Sequence, residues 1–150
     1  MKVAKDIMVT NVITVTPQDD VNRVAHLLLE YHISGLPVVN SKGKLVGIIS
    51  EADLVFQEKK VRSPFFMVLF DSPIYLERPH RFLDELKRSA AQKVKDLMST
   101  KLHTVGPETG IADVATILAE KGINRVPVVD KEGKILGIIT RQDIIKASYD

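Results

Sequence analysis

Residues 4–55 recur as residues 94–145 at a constant offset of 90, without a gap, and 21 of the 52 aligned positions are identical. Unrelated segments do not align in this way, so the chain carries an internal duplication. The identities fall where backbone geometry is constrained. Asp6 and Met8 match Asp96 and Met98, Pro17 matches Pro107, Pro37-Val38-Val39 matches Pro127-Val128-Val129, and Gly43, Gly47 and Asp53 match Gly133, Gly137 and Asp143. A unit of about 50 residues is small for an independent core. Each copy is therefore expected to need the other to bury its apolar face, giving one pseudo-symmetric domain.

Each copy reads as a short strand, a helix, a β-hairpin and a second helix. Ile13-Thr14-Val15 is rich in β-formers, Pro17 breaks the strand, and Asp19-Asp20 opens a helix whose Val21, Val24, Ala25 and Leu28 recur at helical spacing. Ile111, Val114, Ala115 and Leu118 repeat that stripe; Gly122 stands where this second helix should stop, and His32 takes the equivalent place in the first copy. Asn40-Ser41-Lys42-Gly43 and Asp130-Lys131-Glu132-Gly133 have the chemistry of hairpin turns that end in a glycine with positive φ. Ser50-Glu51-Ala52-Asp53 and Thr140-Arg141-Gln142-Asp143 match the capping box of a following helix.

The expected division is a first repeat at 1–55, a linker at 56–92 and a second repeat at 93–150. The linker has no counterpart in the duplication, yet it holds Phe56, Phe65, Phe66, Phe70, Tyr75 and Phe82, six of the eight aromatic residues. It reads as a satellite core or, alternatively, as a lid or docking surface.

Composition narrows the functional classes. No apolar run approaches the roughly 20 residues that cross a bilayer, and no signal-peptide pattern follows Met1, so a soluble, cytoplasmic protein without membrane association is expected. With no cysteine, thiolate metal sites and thiol nucleophiles are excluded. A net charge of +2, with scattered basic residues, does not favour nucleic acid as the main partner. His26, His32, His80 and His103 lack metal-ligand spacing, and there is no nucleophile elbow, P-loop or GxGxxG run. No catalytic residue and no metal ligand is assigned, and the expectation is a protein that is not an enzyme and requires no cofactor.

The repeated motif resembles a tandem pair of CBS domains, the regulatory module named after cystathionine β-synthase. The resemblance rests on Lys5-Asp6-Ile7-Met8, Thr14-Val15-Thr16-Pro17, Leu36-Pro37-Val38-Val39 and the stretch from Gly47 to Asp53. Lys95-Asp96-Leu97-Met98, Thr104-Val105-Gly106-Pro107, Val126-Pro127-Val128-Val129 and Gly137 to Asp143 repeat it. It implies an α/β (α+β) fold, a βαββα unit in each half with two three-stranded sheets related by pseudo-twofold symmetry. It also implies two clefts that in many members hold AMP, ADP, ATP or S-adenosylmethionine and its relatives, and modules that pair into a homodimer.

Carried onto this chain, the resemblance gives Asp143 the ribose hydroxyls. Thr140, at the start of a helix whose free N–H groups suit a phosphate, joins it. Arg125 and Arg141 add cationic groups, whereas the first copy has Gly35 and Glu51 at those positions, so the second-copy cleft is the better anion site. Val126 and Pro127, with Ile13, Thr14 and Val15 from the opposite copy, would complete its walls. The second, weaker cleft would comprise Asp53, Ser50, Leu36 and Pro37, with Lys101, His103 and Thr104 from the opposite copy. On local pattern alone, Asp143 and Thr140 simply cap a helix. The expected function is a regulatory sensor that binds an adenosine nucleotide as regulatory ligand and transmits occupancy to an effector protein that the sequence does not name. The competing expectation is a ligand-free structural dimerisation and protein-interaction module.

Overall fold

A computed structural model describes residues 1–55 and 92–149. The aromatic residues of the linker, and with them the choice between satellite core and lid, lie outside the described residues. In chain order the elements are α1 (Ala4–Ile7), α2 (Val21–Glu30), β1 (Gly35–Val39), β2 (Leu45–Ser50), a helix start at 51–55 (α3), α4 (Val94–Leu97), α5 (Ile111–Glu120), β3 (Arg125–Val129), β4 (Ile135–Thr140) and α6 (Arg141–Tyr149).

The long helices form where the apolar spacing places them. α2 buries Val24 and Leu28, and α5 buries Val114 and Leu118, each pair four residues apart on one face. Both helices end in the same way. His32 and Gly122 adopt positive φ (52° and 61°), and the next residue's N–H turns back to the helix, Ile33 to Leu28 O and Ile123 to Leu118 O, each at 3.1 Å. Asp20 occupies the N-cap of α2 but makes no side-chain cap; its Oδ1 instead accepts a hydrogen bond from Lys93 Nζ at 2.7 Å.

The hairpin turns are built alike. Asn40 Oδ1 accepts the N–H groups of Lys42 and Lys44, Asp130 Oδ1 accepts those of Glu132 and Lys134, and Gly43 and Gly133 take φ of 79° and 85°. β1 pairs with β2, and β3 pairs antiparallel with β4 in the register Arg125 to Thr140, Val126 to Ile139, Pro127 to Ile138 and Val128 to Gly137, with a bulge before Val129.

Among the described residues each sheet has two strands, whereas the resemblance led us to expect three. The expected opening strand contributes a single bridging residue, Val15 in the first copy and Val105, parallel to Val128, in the second. The cause is local. The next N–H facing the sheet would come two residues on, where Pro17 and Pro107 have none, and the chain turns there, Thr16 N–H donating to Asp19 Oδ2 at 2.8 Å and Gly106 N–H to Thr109 Oγ1 at 3.1 Å.

The described chain divides into two compact units that do not follow the sequence repeats. One unit holds residues 1–14, 37–47 and 100–149. Its core is Ala4, Val105, Val114, Leu118, Val126, Val128 and Ile139, flanked by Ile7, Met8, Ile117, Ile123 and Ile144. Here α1, from the first copy, docks on the second copy. Ala4 N–H donates to Thr109 O (2.7 Å), Lys5 N–H to Pro107 O (2.9 Å), and Ile111 N–H to Lys2 O (3.3 Å). The hairpin tip of the first copy joins the same unit through Leu45 N–H to Gly133 O at 3.0 Å.

The other unit holds, among the described residues, 15–36, 48–55 and 92–99, and mirrors this arrangement. Val94 N–H donates to Asp19 O (2.9 Å), Lys95 N–H to Pro17 O (3.0 Å), and Val21 N–H to Gln92 O (2.9 Å). Val15, Val24, Leu28, Leu36, Ile49 and Val94 are its buried apolar residues among those described. The short opening helices α1 and α4 were not read from the sequence. Asp6 and Asp96 start them, accepting the N–H groups of Val3 (2.9 Å) and Lys93 (3.3 Å).

Candidate functional site

The site residues of the second copy are organised by the turn from β4 into α6. Asp143 Oδ2 accepts both the Thr140 N–H (2.8 Å) and the Thr140 hydroxyl (3.0 Å), and the Asp143 N–H points back to Thr140 Oγ1 at 3.4 Å. This reciprocal cap engages the Asp143 N–H, one of the first-turn donors of α6. It engages one carboxylate oxygen and leaves Oδ1 outside the cap.

Arg125 stands directly across the ladder from Thr140, so the two share one face of the sheet, and they lie beside the helix start. Their neighbours Val126 and Ile139 point the other way and are fully buried in the core. Arg141 is held to the loop before β3, its Nε donating to Ile123 O and its N–H to Asn124 O, both at 3.1 Å. Thr140, Asp143 and Arg125 thus form one cluster through hydrogen bonds and strand register.

The remaining expected residues are placed as follows. Ile13 and Thr14 fall in the same compact unit as Asp143 and are half-buried, whereas Val15 falls in the other unit and is 2% exposed. Val126 and Pro127 are buried, so the Val126 side chain belongs to the core. In the first copy Asp53 Oδ2 accepts the Ser50 N–H (2.8 Å) and hydroxyl (3.2 Å), the same cap as at Asp143. Leu36 and Pro37 are buried, His103 is half-buried, and Lys101 and Thr104 are exposed.

One feature was missed by sequence reasoning. An open surface depression of about 210 Å³ beside Asp143 is lined by Lys2, Ile7, Lys146 and Ala147. Lys146 lies three residues after Asp143, a spacing that carried a signal; Lys2 enters only because α1 docks on the second copy. Among the described residues, no helix is long and apolar enough to cross a membrane.

The CBS domain family matches residues 4–59 and 94–150. An uncharacterised protein of Methanocaldococcus jannaschii is 38% identical over 95% of this chain and 89% of its own length. The inosine-5'-monophosphate dehydrogenase of Korarchaeum cryptofilum is 31% identical over 96% of this chain, which spans only 24% of that enzyme. Among solved structures, CBSX2 in complex with AMP is 27% identical, with a TM-score of 0.76 over 99% of this chain and 96% of that one. CBSX2 from Arabidopsis thaliana has also been solved as a CBS-pair protein, 28% identical with a TM-score of 0.72 over 97% of this chain and 93% of that one. By its two family matches and its fold, the chain belongs to the CBS domain family.

Proposed function

We propose that this chain is a regulatory module that binds an adenine nucleotide or related adenosine compound at Asp143 and passes occupancy to an effector protein. The observation that carries the reading is the cluster of Asp143, Thr140 and Arg125. A carboxylate oxygen outside the cap can accept ribose hydroxyls, and the start of α6 with the facing arginine suits a phosphate. The likeness to CBSX2, solved with AMP, supports an adenosine ligand. Asp53 with Ser50 offers a second, weaker site that lacks the arginine. Binding then biases a conformational equilibrium, the general route by which a ligand acts on a distant partner. In this reading the chain acts by binding rather than by catalysis, in the cytoplasm and as a homodimer.

The test is a thermal-shift and calorimetric screen of AMP, ADP, ATP, S-adenosylmethionine and methylthioadenosine. A ligand at about 100 times Kd adds roughly 2.7 kcal/mol of stability. Arg125→Ala should weaken AMP more than adenosine, and equal weakening would remove its phosphate role.

A second reading, a ligand-free interaction module, draws on the completeness of the cap, which alone accounts for every hydrogen bond described for the Asp143 side chain. Absence of any shift with all five compounds would favour it.

A further inference from the structure

We propose that the two hairpin turns, which meet side by side, form a cationic docking surface for an acidic segment of another protein. None of the side chains involved belongs to the Asp143 cluster, so this surface stands or falls independently of the nucleotide reading.

The basic residues are scattered in sequence, and the fold gathers four of them. Lys44 and Lys134, equivalent positions of the two repeats, face each other across an isolated antiparallel bridge, and beside them Leu45 N–H donates to Gly133 O at 3.0 Å. Residues directly opposite in an antiparallel pair project to the same side. Lys42 and Lys131 stand in the adjoining turns, and all four lysines are exposed. Against them the turns at 40–44 and 130–134 hold two carboxylates, Asp130 and Glu132. The resulting charge of +2 equals that of the whole chain, so the rest of the sequence is neutral on balance and the excess sits here.

Neither carboxylate neutralises the lysines. Asp130 Oδ1 is occupied by the N–H groups of Glu132 and Lys134, each at 2.9 Å. Glu132 Oε2 lies 3.7 Å from Lys134 Nζ with its side chain 70% exposed, a loose pair that another anion displaces at little cost. Among the described residues Lys42, Lys44 and Lys131 make no ion pair. Like charges held opposite each other are unfavourable, and an anion laid across Lys44 and Lys134 relieves the repulsion. The backbone beneath is already fixed, since Asn40 Oδ1 accepts the N–H groups of Lys42 and Lys44 at 2.9 and 3.0 Å. Docking therefore has only side chains to order.

The chemistry selects the class of partner. Ammonium groups are point charges on flexible stems, suited to carboxylates spaced irregularly along a peptide. The turns hold no arginine and no aromatic residue on which a base could stack, and two adjacent turns do not make the extended basic stripe of a nucleic-acid site.

The test is fluorescence anisotropy at low salt with a labelled oligoglutamate peptide. It compares the wild-type chain with a turn variant, Lys42→Gln/Lys44→Gln/Lys131→Gln/Lys134→Gln, and with a charge-matched variant of exposed lysines elsewhere, Lys2→Gln/Lys95→Gln/Lys121→Gln/Lys146→Gln. Thermal melts check that both variants fold. The peptide is expected to bind wild type, and to bind the turn variant at least tenfold more weakly than the charge-matched one, since each exposed pair is worth up to about fivefold and four act together. Equal weakening in both variants, or no binding to wild type, overturns the surface. Lysines at strand starts also discourage edge-to-edge pairing. A turn variant that self-associates in light scattering while keeping its peptide affinity would assign them that role and overturn the docking surface. A single-stranded oligonucleotide that binds more tightly than the peptide, with the same dependence on the turn lysines, would overturn the assignment to an acidic protein segment.

Discussion

Val9 and Ile138 exchange both backbone hydrogen bonds, Val9 N–H to Ile138 O at 2.9 Å and Ile138 N–H to Val9 O at 3.0 Å. The chain just after α1 is thereby an added edge of β4, the last strand of the second copy. Ser99 and Ile48 make the same exchange in the other unit, at 2.8 and 3.0 Å. The opening segment of each repeat thus completes the hairpin of the opposite repeat.

Close approach at this edge depends on Gly137. A methyl group there would lie 2.6 Å from Met8 Sδ and 2.9 Å from Val9 O. Gly137→Ala should cost about 1–3 kcal/mol through overpacking, read by chemical denaturation, and should speed hydrogen exchange of the Val9 amide. Gly43→Ala makes a contrast. That site is open but has φ of 79°, so the cost is about 1–2 kcal/mol of backbone strain, with no change at Val9. A Gly137→Ala variant as stable as wild type would mean that α1 does not sit against β4.

The two roles of Asp143 can be separated. Asp143→Ala should lose about 0.5–2 kcal/mol of stability with its cap, whereas Asp143→Asn keeps an acceptor for the Thr140 N–H and should retain most of it. In AMP titrations both variants should lose about tenfold to hundredfold in affinity if the carboxylate receives ribose hydroxyls. Wild-type affinity in the Asn variant would assign Asp143 to capping alone.

Lys5 and Glu108 pair at 2.6 Å, and this bond, followed by the charge of Glu108, raises the Lys5 pKa above its ordinary 10.5. A raised pKa in the folded state means that the pairing contributes fully below pH 10.5 and is lost as pH climbs through the folded value. Thermal melts of wild type and Lys5→Met should differ by a constant amount from neutral pH to about pH 10 and converge in stronger alkali. The pair is solvent-exposed, so the difference should be small and should shrink with added salt. A gap that widens above pH 10.5 would contradict the pairing.

α6 leaves Ile145 57% and Tyr149 85% exposed, four residues apart on one helix face. If a second copy covers them, light scattering at micromolar concentration should report about twice 16.7 kDa, and Ile145→Asp with Tyr149→Asp should return the single-chain mass. A wild-type chain that stays at 16.7 kDa at high concentration would end the homodimer proposal.

Much of the fold was legible because its signals are local. Gly43 and Gly133 could be assigned positive φ from turn chemistry, and Ser50–Asp53 and Thr140–Asp143 could be assigned caps from spacing, since these choices are settled within four residues. His32 shows the limit of residue type alone. It takes the left-handed position by analogy with Gly122, which only the repeat alignment reveals. Asp20 marks the correct N-cap but bonds to Lys93, a residue 73 positions away. For the same reason the depression at Lys2 and Lys146 could not be read from sequence. Its two lysines line it only because α1 docks on the second copy.

That docking has a consequence for how the protein emerges from the ribosome. Lys5 and Glu108 are 103 residues apart, so at synthesis rates of about 5–20 residues per second α1 exists for roughly 5–20 seconds before its binding surface has been made. The first repeat is in the opposite position, since its own surface is finished early but waits for Val94 to arrive. Neither unit can close while the chain is half made. During vectorial synthesis Ala4, Ile7 and Met8 are apolar residues without a home, and a stall in the linker would leave a nascent chain whose first repeat is a natural client for a holdase chaperone.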